Sequence, residues 1–513
     1  MDNQITNELE QLLNDLFTQT KESLNPHDID LIAKHSHELS QRLLPVVQLH
    51  LDQFAAGTHE EGQSTSDFYW SIVLLARLEE PLLFPSMIKI CSMPEDQIDD
   101  VLGIDFITEE LPFVLALTCN GRWALLQPII ENNDLDLYIR NACLDACMLM
   151  TVLGTMQRKN VVVYLKKLLQ GCLESVDGNK EWNAFVITTC CDLHPEECME
   201  EIKELFGSWL VDTSMIRIDD VFDDQQKKQQ ECTDALKRKI DRFFALHTQK
   251  NSTEIWTDNK EHKKFEEILQ DHEQRARTIE LFLLDRQKNK IGRNDQCFCL
   301  SGKKYKKCCI AKPDIPKTVV METSSISFEP RPLPNFSDEE TERMQELFFM
   351  MQDDPVRAVA AIKDFLVTHQ DVPAIYNYLF AAQTKCGKHR EAIGTLKTTA
   401  EKFPTYLFGT AEYGLYFLRR GEPEHAHKLL KGAQTLNQLY PERQTFHVTE
   451  LKAFCYFMGM YCVAIKDFKQ MKMYTSLLKE LPDGAEGAAD IIEGARTKLL
   501  RMNAEELPNY TNS

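Results

Sequence analysis

The sequence has few of the residues that interrupt regular structure, with only 20 glycines and 20 prolines among 513 residues. Such scarcity favours long helices over a turn-dense β architecture. It also lacks any run of about 18 uncharged apolar residues, which a membrane span needs. The N-terminus, MDNQITNELEQLL, has neither the basic start nor the apolar run of a secretion signal. We therefore expect a helical, cytoplasmic protein without a membrane partner, although a non-classical export route stays open.

Positive charge is also in short supply. The chain carries 58 Lys and Arg residues against 79 Asp and Glu residues, for a formal charge of -21. This excess disfavours nucleic acid or an anionic membrane as a partner of the whole chain, because such binding depends on neutralising phosphates. An anionic partner would have to meet a local basic patch.

The common catalytic motifs are missing as well. The sequence contains no G-x-x-x-x-G-K-[ST] loop, no H-E-x-x-H, no G-x-S-x-G and no G-x-G-x-x-G. We therefore expect a protein that is not an enzyme and has no evident small-molecule substrate. The alternative is an enzyme whose site is assembled from dispersed residues in the N-terminal helical groove, and converging carboxylates and histidines there would favour it.

Most of the 16 cysteines are scattered along apolar helix faces, which favours a reducing compartment. Cys190 and Cys191 could form a redox pair, but the apolar run AFVITTCCDL favours packing. His35 and His37, near Glu38, could ligate a metal. With no further ligand in view, a surface helix is the preferred interpretation.

Paired helices are predicted across the N-terminal part. Residues 137–153 place apolar side chains at steps of three and four, which indicates one buried helix face. These are Ile139, Cys143, Ala146, Cys147 and Met150. Residues 110–134 break at Asn120-Gly121 between two apolar segments, and pairs begin near 67, 107, 137 and 181. This irregular period is close to that of HEAT-type repeats, with a helical bundle as the alternative.

The segments ELPFVLALTCNGRWALLQPIIEN and YIRNACLDA resemble an uncharacterised bacterial family of HEAT-like domains that is often joined to a SEC-C zinc motif. The resemblance covers roughly residues 30–222 and implies no known catalytic residues. We predict a HEAT-like domain over 1–222, followed by a charged helical connector over 223–290.

The last third contains an internal repeat. Ala358, Ala392 and Ala426 lie 34 residues apart, and Gly387 and Gly421 show the same interval. This is the tetratricopeptide period, in which a small residue permits the turn and an alanine permits close helix packing. GKHREAIGTLKTTAEKFP resembles the second half of such a repeat. Ala464 and Gly459 are predicted to continue the series after a four-residue insertion, within a TPR-like domain over 337–513.

Four of the cysteines are clustered in a C-x-C-x8-C-C pattern within IGRNDQCFCLSGKKYKKCCI, residues 291–310 of a predicted zinc knuckle over 291–312. Four thiolates so spaced can surround one tetrahedral ion, and soft sulfur ligands favour zinc. Gly302 supplies the turn between the two pairs. Four protein ligands leave no open position, so we expect one structural Zn²⁺. An iron-sulfur cluster and a set of buried or disulfide-bonded cysteines are the alternatives.

This segment resembles the SEC-C motif, the zinc-binding tail of the preprotein translocase motor SecA. GRND, both cysteine pairs and SGKKYKKC stand in register, which implies Cys297, Cys299, Cys308 and Cys309 as the metal ligands. The sequence departs from the motif at Gln296 and Phe298, where prolines are usual, and at Leu300, where glycine is usual. A Pro-rich linker is predicted after the motif, over 313–336.

Basic charge surrounds the cysteines, with nine Lys or Arg residues and one acid between Arg286 and Lys312. We predict a contact surface there for an acidic protein, formed by Arg293, Lys303, Lys304, Lys306 and Lys307. The resemblance to SecA implies an acidic chaperone or the ribosome as partner. The alternative is that the lysines only keep the knuckle soluble.

The predicted protein is thus all-α, with two helical-repeat solenoids, one HEAT-like and one TPR-like, joined by a helical connector and a small zinc knuckle. Such solenoids bind extended peptides or helical surfaces of other proteins. We therefore expect a zinc-binding protein-protein interaction adaptor. A ribosome or nucleic-acid binder acting through the basic knuckle is a further alternative.

Overall fold

A computed structural model describes residues 2–58, 65–94, 103–175, 178–248, 326–327, 336–481 and 486–505. These residues form two compact units. So far as they are described, the first comprises 1–172, 179–205 and 210–259, and the second comprises 173–178, 206–209 and 260–513. The first unit thus extends past the predicted boundary at residue 222.

The N-terminal part of the chain, up to residue 248, is built from thirteen α-helices in its described stretches, with one π-helix and two 3-10 turns. The α-helices are α1 (Asp2–Phe17), α2 (Pro26–Lys34), α3 (Ser36–Ala56), α4 (Ser66–Arg77), α5 (Phe84–Ile90), α6 (Leu111–Thr118), α7 (Gln127–Ile130), α8 (Leu137–Val152), α9 (Arg158–Glu174), α10 (Lys180–Asp192), α11 (Met199–Gly207), α12 (Ile218–Gln226) and α13 (Gln229–Leu246). The π-helix spans Phe106–Glu110, and the 3-10 turns span Trp123–Leu125 and Glu196–Cys198.

The described C-terminal part contains ten further helices and one pair of two-residue strands. The helices are α14 (Asp338–Asp353), α15 (Pro355–Thr368), α16 (Pro373–Lys385), α17 (His389–Lys402), α18 (Leu407–Arg419), α19 (Pro423–Leu429), α20 (Leu436–Leu439), α21 (Val448–Ala464), α22 (Phe468–Glu480) and α23 (Glu486–Glu505). Strands β1 (Ile326–Ser327) and β2 (Phe446–His447) pair in parallel. The predicted all-α fold class is confirmed for the described residues.

Helix α8 forms the centre of the first unit, where it contacts α6, α10 and α13. It begins where the side chain of Asp136 accepts hydrogen bonds from the backbone N–H groups of Tyr138 and Ile139, a good N-cap. All five members of the apolar stripe predicted from 137–153 are buried. The predicted turn is also present, because Asn120 and Gly121 both have positive φ. The segment after this turn is a 3-10 turn and the short α7 instead of one long helix.

The first unit also includes a helix from the predicted connector. Helix α13 buries Cys232, Leu236, Ile240 and Phe243. It contacts α8 and α10 through this apolar face. This face has only four buried residues, yet it is sufficient to fix α13 to the core. Each fully buried large apolar side chain contributes about 1.5 to 3 kcal/mol to stability.

The second unit follows the predicted 34-residue interval over its first pairs of helices. Ala358, Ala392 and Ala426 are all buried, in α15, α17 and α19. Gly387 and Gly421 occupy the turns before α17 and α19 with φ of 73° and 71°, in the left-handed region that favours glycine. The helical pairing is therefore present, while the TPR-like and HEAT-like types remain predictions.

The predicted continuation of the repeat at Gly459 and Ala464 differs from the structure. Gly459 lies inside α21, where an added Cβ would be 2.5 Å from Ile492 Cδ1, so this glycine permits a close approach to α23. Ala464 is the exposed last residue of α21. The left-handed turn before α22 is made by Lys466, with φ of 58°. Lysine is not a residue that predicts a turn. The sequence therefore pointed to Gly459 as the turn residue, although Lys466 makes the turn in the structure.

Candidate functional site

The predicted metal and partner-binding residues lie outside the described residues. These are the cysteines 297, 299, 308 and 309 with Arg293, Lys303, Lys304, Lys306 and Lys307. The donor set nevertheless fits zinc by its chemistry, since four thiols within 13 residues can supply a complete tetrahedral sphere. These four cysteines would hold the ion, which would fix the fold of the surrounding segment.

The histidine pair near the N-terminus does not form a metal site in the structure. The Nδ1 atom of His35 lies 3.5 Å from Glu38 Oε2, whereas His37 Nε2 is hydrogen-bonded to the Gln41 side chain at 3.0 Å. Within the described ranges no group of three His, Cys, Asp or Glu side chains is placed to hold a metal ion.

The adjacent cysteines of α10 are packing residues. Both side chains are buried, at 1% exposure for Cys190 and 4% for Cys191. A hydrogen bond to Cys198, together with burial, raises the pKa of the Cys190 thiol well above its ordinary value. Burial and the neighbouring Asp224 raise the pKa of Cys191 in the same direction. Neither thiol is a reactive thiolate near neutral pH, because the thiolate is the reactive form.

A π-helix introduces a local irregularity before α6. In Phe106–Glu110 the chain closes a wide turn, with the Leu111 N–H donating to the Phe106 carbonyl. Pro112 follows directly. It has no backbone N–H and therefore cannot donate a helical hydrogen bond to the preceding turn. Single π-turns of this kind are common at functional sites. Here the π-helix contributes Thr108 and Glu109 to a pocket and Glu110 to a half-buried polar cluster.

A half-buried polar cluster joins Tyr69, Glu110 and His247. The Tyr69 hydroxyl donates to Glu110 Oε1 at 2.9 Å and lies 2.9 Å from His247 Nε2. His247 Nε2 lies 3.1 Å from Glu110 Oε2. Burial raises the pKa of Tyr69, and the nearby Glu110 carboxylate raises it further. A tyrosine that stays protonated can only donate to the carboxylate, so the cluster fixes α4, the π-helix and the end of α13 to one another.

A pocket of about 360 Å³ lies beside this cluster, wholly within the first unit. Three walls line it: the π-helix with the start of α6, one face of α8, and the C-terminal half of α13. Its polar side chains are Thr108, Glu109, Asp145, Lys239 and Arg242. The two cations come from α13, while the two carboxylates come from the other walls. The pocket therefore presents opposite charges on opposing elements.

Asp145 is the most perturbed of these groups. Burial raises the pKa of its carboxyl to about 7, the Lys239 ammonium opposes this shift, and the Asp192 carboxylate adds to it. Asn141 Nδ2 donates to Asp145 Oδ2 at 3.2 Å, and Thr189 Oγ1 lies 3.4 Å from Oδ1. Lys239 is held 2.7 Å from Asp192. Asp145 thus changes its charge near neutral pH within a polar surround.

The rest of the lining is apolar. It consists of Pro112, Phe113, Met148, Leu149, Phe243 and Leu246. The rings of Phe113 and Phe243 are stacked with centroids 4.9 Å apart and planes inclined by 10°. Leu246, at the edge of the lining, is 53% exposed. Apolar walls with a few polar groups are typical of small-molecule sites.

No pattern in the sequence predicted the pocket or the polar cluster of Tyr69, Glu110 and His247. Their residues come from segments far apart in the chain, with Tyr69 and His247 separated by 178 positions. A short sequence motif cannot show that residues so far apart in the chain lie close together in the fold. A usable signal was the apolar face of α13, where Lys239 and Arg242 precede Phe243 within the predicted charged helical connector.

The fold of the described residues and the cysteine pattern define a protein of the all-α class that carries a motif of the metal-binding type between two helical regions. A protein-family model described as "Protein of unknown function (DUF1186)" matches residues 7–260, and the SEC-C motif matches residues 293–310. The chain therefore carries a DUF1186 domain and a SEC-C motif. No curated protein and no solved structure matches this chain. The part of the chain described also contains no helix long and apolar enough to cross a membrane.

Proposed function

We propose that this chain is a zinc-binding, non-catalytic adaptor that contacts other proteins through its SEC-C segment and its helical units. The observation that carries the proposal is the SEC-C match over 293–310, which encloses all four clustered cysteines. In this proposal Cys297, Cys299, Cys308 and Cys309 bind one structural Zn²⁺. The cytoplasm, whose reducing poise keeps thiols free for metal, is the proposed compartment.

Local charge supports a partner of opposite sign. The segment from Arg286 to Lys312 has a formal charge of +8, and a tetrathiolate zinc centre of charge -2 would leave about +6. The chain as a whole carries -21. Complementary charge mainly raises association rates, and a segment held rigid by zinc loses less freedom on binding than a flexible tail. The proposed partner is an acidic protein surface such as that of a chaperone, and a ribosome is the second candidate.

Metal analysis of the purified protein tests the zinc site. We expect one zinc per chain, and a Cys297→Ser/Cys308→Ser variant should lose it. Cys386→Ser is the matched control, because Cys386 is the least buried cysteine of the described ranges and stands outside the motif. Chelation should leave most helical circular dichroism intact. Zinc that persists in the double variant would contradict the assignment.

Affinity purification tests the contact surface. Lys303, Lys304, Lys306 and Lys307 changed together to glutamate should lose the partners while the zinc content stays constant. Raising salt should weaken the same interaction, because exposed charges are screened beyond about 8 Å at physiological ionic strength. The control changes four exposed lysines of the first unit to glutamate, namely Lys34, Lys89, Lys159 and Lys228. Equal recovery of partners by the two variants would show that the knuckle does not contact them.

A further inference from the structure

The pocket of the first unit has the features of a ligand site that no motif of the sequence indicates. Its volume of about 360 Å³ lies within the usual range of small-molecule sites, roughly 300 to 1,000 Å³. The pocket is open to solvent, because its lining residues Thr108, Glu109, Arg242 and Leu246 are exposed. A small molecule can therefore reach its polar groups.

Two charged side chains of this lining have no partner in the described part of the chain. No hydrogen bond or ion pair joins the side chain of Glu109 or of Arg242 to another described residue, and both are exposed. Lys239 differs, since Asp192 neutralises it at 2.7 Å. Glu109 and Arg242 thus offer one negative and one positive group from opposing walls, and neither group neutralises the other.

The apolar lining restricts what can lie between these charges. The stacked rings of Phe113 and Phe243 form part of this lining, with Met148 and Leu149 from α8. A polar group of a ligand placed against them would lose its water without gaining a hydrogen bond. An apolar or aromatic group packs against such rings favourably. The ligand should therefore combine an apolar body with charged groups at one end.

We propose that this pocket binds a small zwitterion with an apolar side chain, the chemistry of a free apolar amino acid. The carboxylate of the ligand is recognised by Arg242, and its ammonium by Glu109 with Asp145. A purely anionic ligand would leave the carboxylates of the pocket facing its charge, and a purely cationic one would do the same with Arg242. Only a ligand with both charges can pair with Arg242 and with the carboxylates of the pocket at the same time.

Isothermal titration of the full-length protein with three matched compounds tests the proposal. L-Phenylalanine carries both charges, 3-phenylpropionate lacks the ammonium, and 2-phenylethylamine lacks the carboxylate. We expect saturable binding of phenylalanine, about tenfold tighter than that of either analogue, which corresponds to roughly 1.4 kcal/mol per lost charge contact. The absence of phenylalanine binding, or equal binding of all three compounds, would overturn the proposal.

Two variants then assign the charges. Arg242→Gln should weaken phenylalanine binding about tenfold and leave phenylethylamine unchanged, whereas Glu109→Gln should weaken phenylalanine and leave phenylpropionate unchanged. Arg238→Gln is the matched control, because Arg238 is an exposed residue of the same helix α13 that does not line the pocket. Unaltered helical circular dichroism shows that each variant is folded. Equal phenylalanine affinity in Arg242→Gln and in Arg238→Gln would contradict the assigned site.

Discussion

The two units solve the same packing problem with different residues. In the second unit, small residues recur at a fixed interval, with buried Ala358, Ala392 and Ala426 and left-handed Gly387 and Gly421. The first unit contains many buried thiols, a half-buried Tyr-Glu-His cluster and a pocket lined by both apolar and charged side chains. Regular spacing in the second unit sets the geometry of neighbouring helices. The first unit relies on specific side-chain interactions between distant segments instead.

This difference shows that packing constraints and unusual electrostatics can lie in different parts of one chain. A regular array tolerates little change in volume at its close contacts. An irregular unit stores unusual electrostatics, such as the raised pKa of Asp145 at about 7. Strongly perturbed groups in a cleft are candidates for functional sites, although ion-pair networks also produce them. Three substitutions sharpen the comparison.

The largest effect is expected in the second unit. Ala392 is 2% exposed in α17, so Ala392→Leu forces three extra carbons into a packed contact and should lower the free energy of unfolding by about 3 kcal/mol. Thermal unfolding and hydrogen exchange at α17 measure this loss. The control is Gly394→Leu in the same helix, where no atom lies within 4 Å of an added Cβ. A loss of equal size in the control would show that the spacing of the alanines does not set the contact.

A smaller effect, dependent on pH, is expected in the first unit from Asp145→Asn. The folded-state pKa of Asp145, about 7, lies above its ordinary 3.8, so the folded protein holds this proton more tightly than the unfolded chain. The stabilisation is full below about pH 4 and is lost as pH rises through 7. The amide cannot ionise. The variant should therefore be more stable than the parent at pH 8 and almost equal to it near pH 4.

Urea denaturation of both proteins at the two pH values measures this difference. Asp134→Asn is the control, because Asp134 is exposed on the surface of the same unit. The structure implies that burial raises the pKa of the Asp145 carboxyl. Parallel pH profiles of the free energy of unfolding in the parent and in Asp145→Asn would contradict this. An equal gain in the Asp134 variant would instead indicate a general effect of net charge.

The smallest effect is expected from Tyr69→Phe, which removes the hydroxyl between Glu110 and His247. Loss of these hydrogen bonds should lower the free energy of unfolding by about 1 kcal/mol, the usual net contribution of a buried hydrogen bond. Chemical denaturation measures it. Tyr138→Phe is the control, since Tyr138 is 39% exposed. An unchanged free energy in Tyr69→Phe would show that the cluster does not stabilise the first unit.

Periodicity and residue size were sufficient to predict several elements. The stripe from Ile139 to Met150 predicted α8, and the Asn120-Gly121 pair predicted a turn that the structure confirms. These are local signals, because helix faces and left-handed turns depend on neighbours only a few residues away. The same reasoning was wrong about Gly459, since a glycine can serve either a turn or a close helix contact and only the surrounding helices distinguish the two.

The sequence by itself determined the all-α class, the main helix starts of the first unit, the 34-residue spacing of buried alanines and the cysteine motif, because each is encoded within one short stretch. The tertiary structure decided that α13 joins the first unit, that Lys466 makes a left-handed turn, and that Glu109, Asp145 and Arg242 line one pocket. The physical reason is distance along the chain. Burial, desolvation and the meeting of opposite charges arise only when segments distant in the chain pack together, as α6, α8 and α13 do around the pocket.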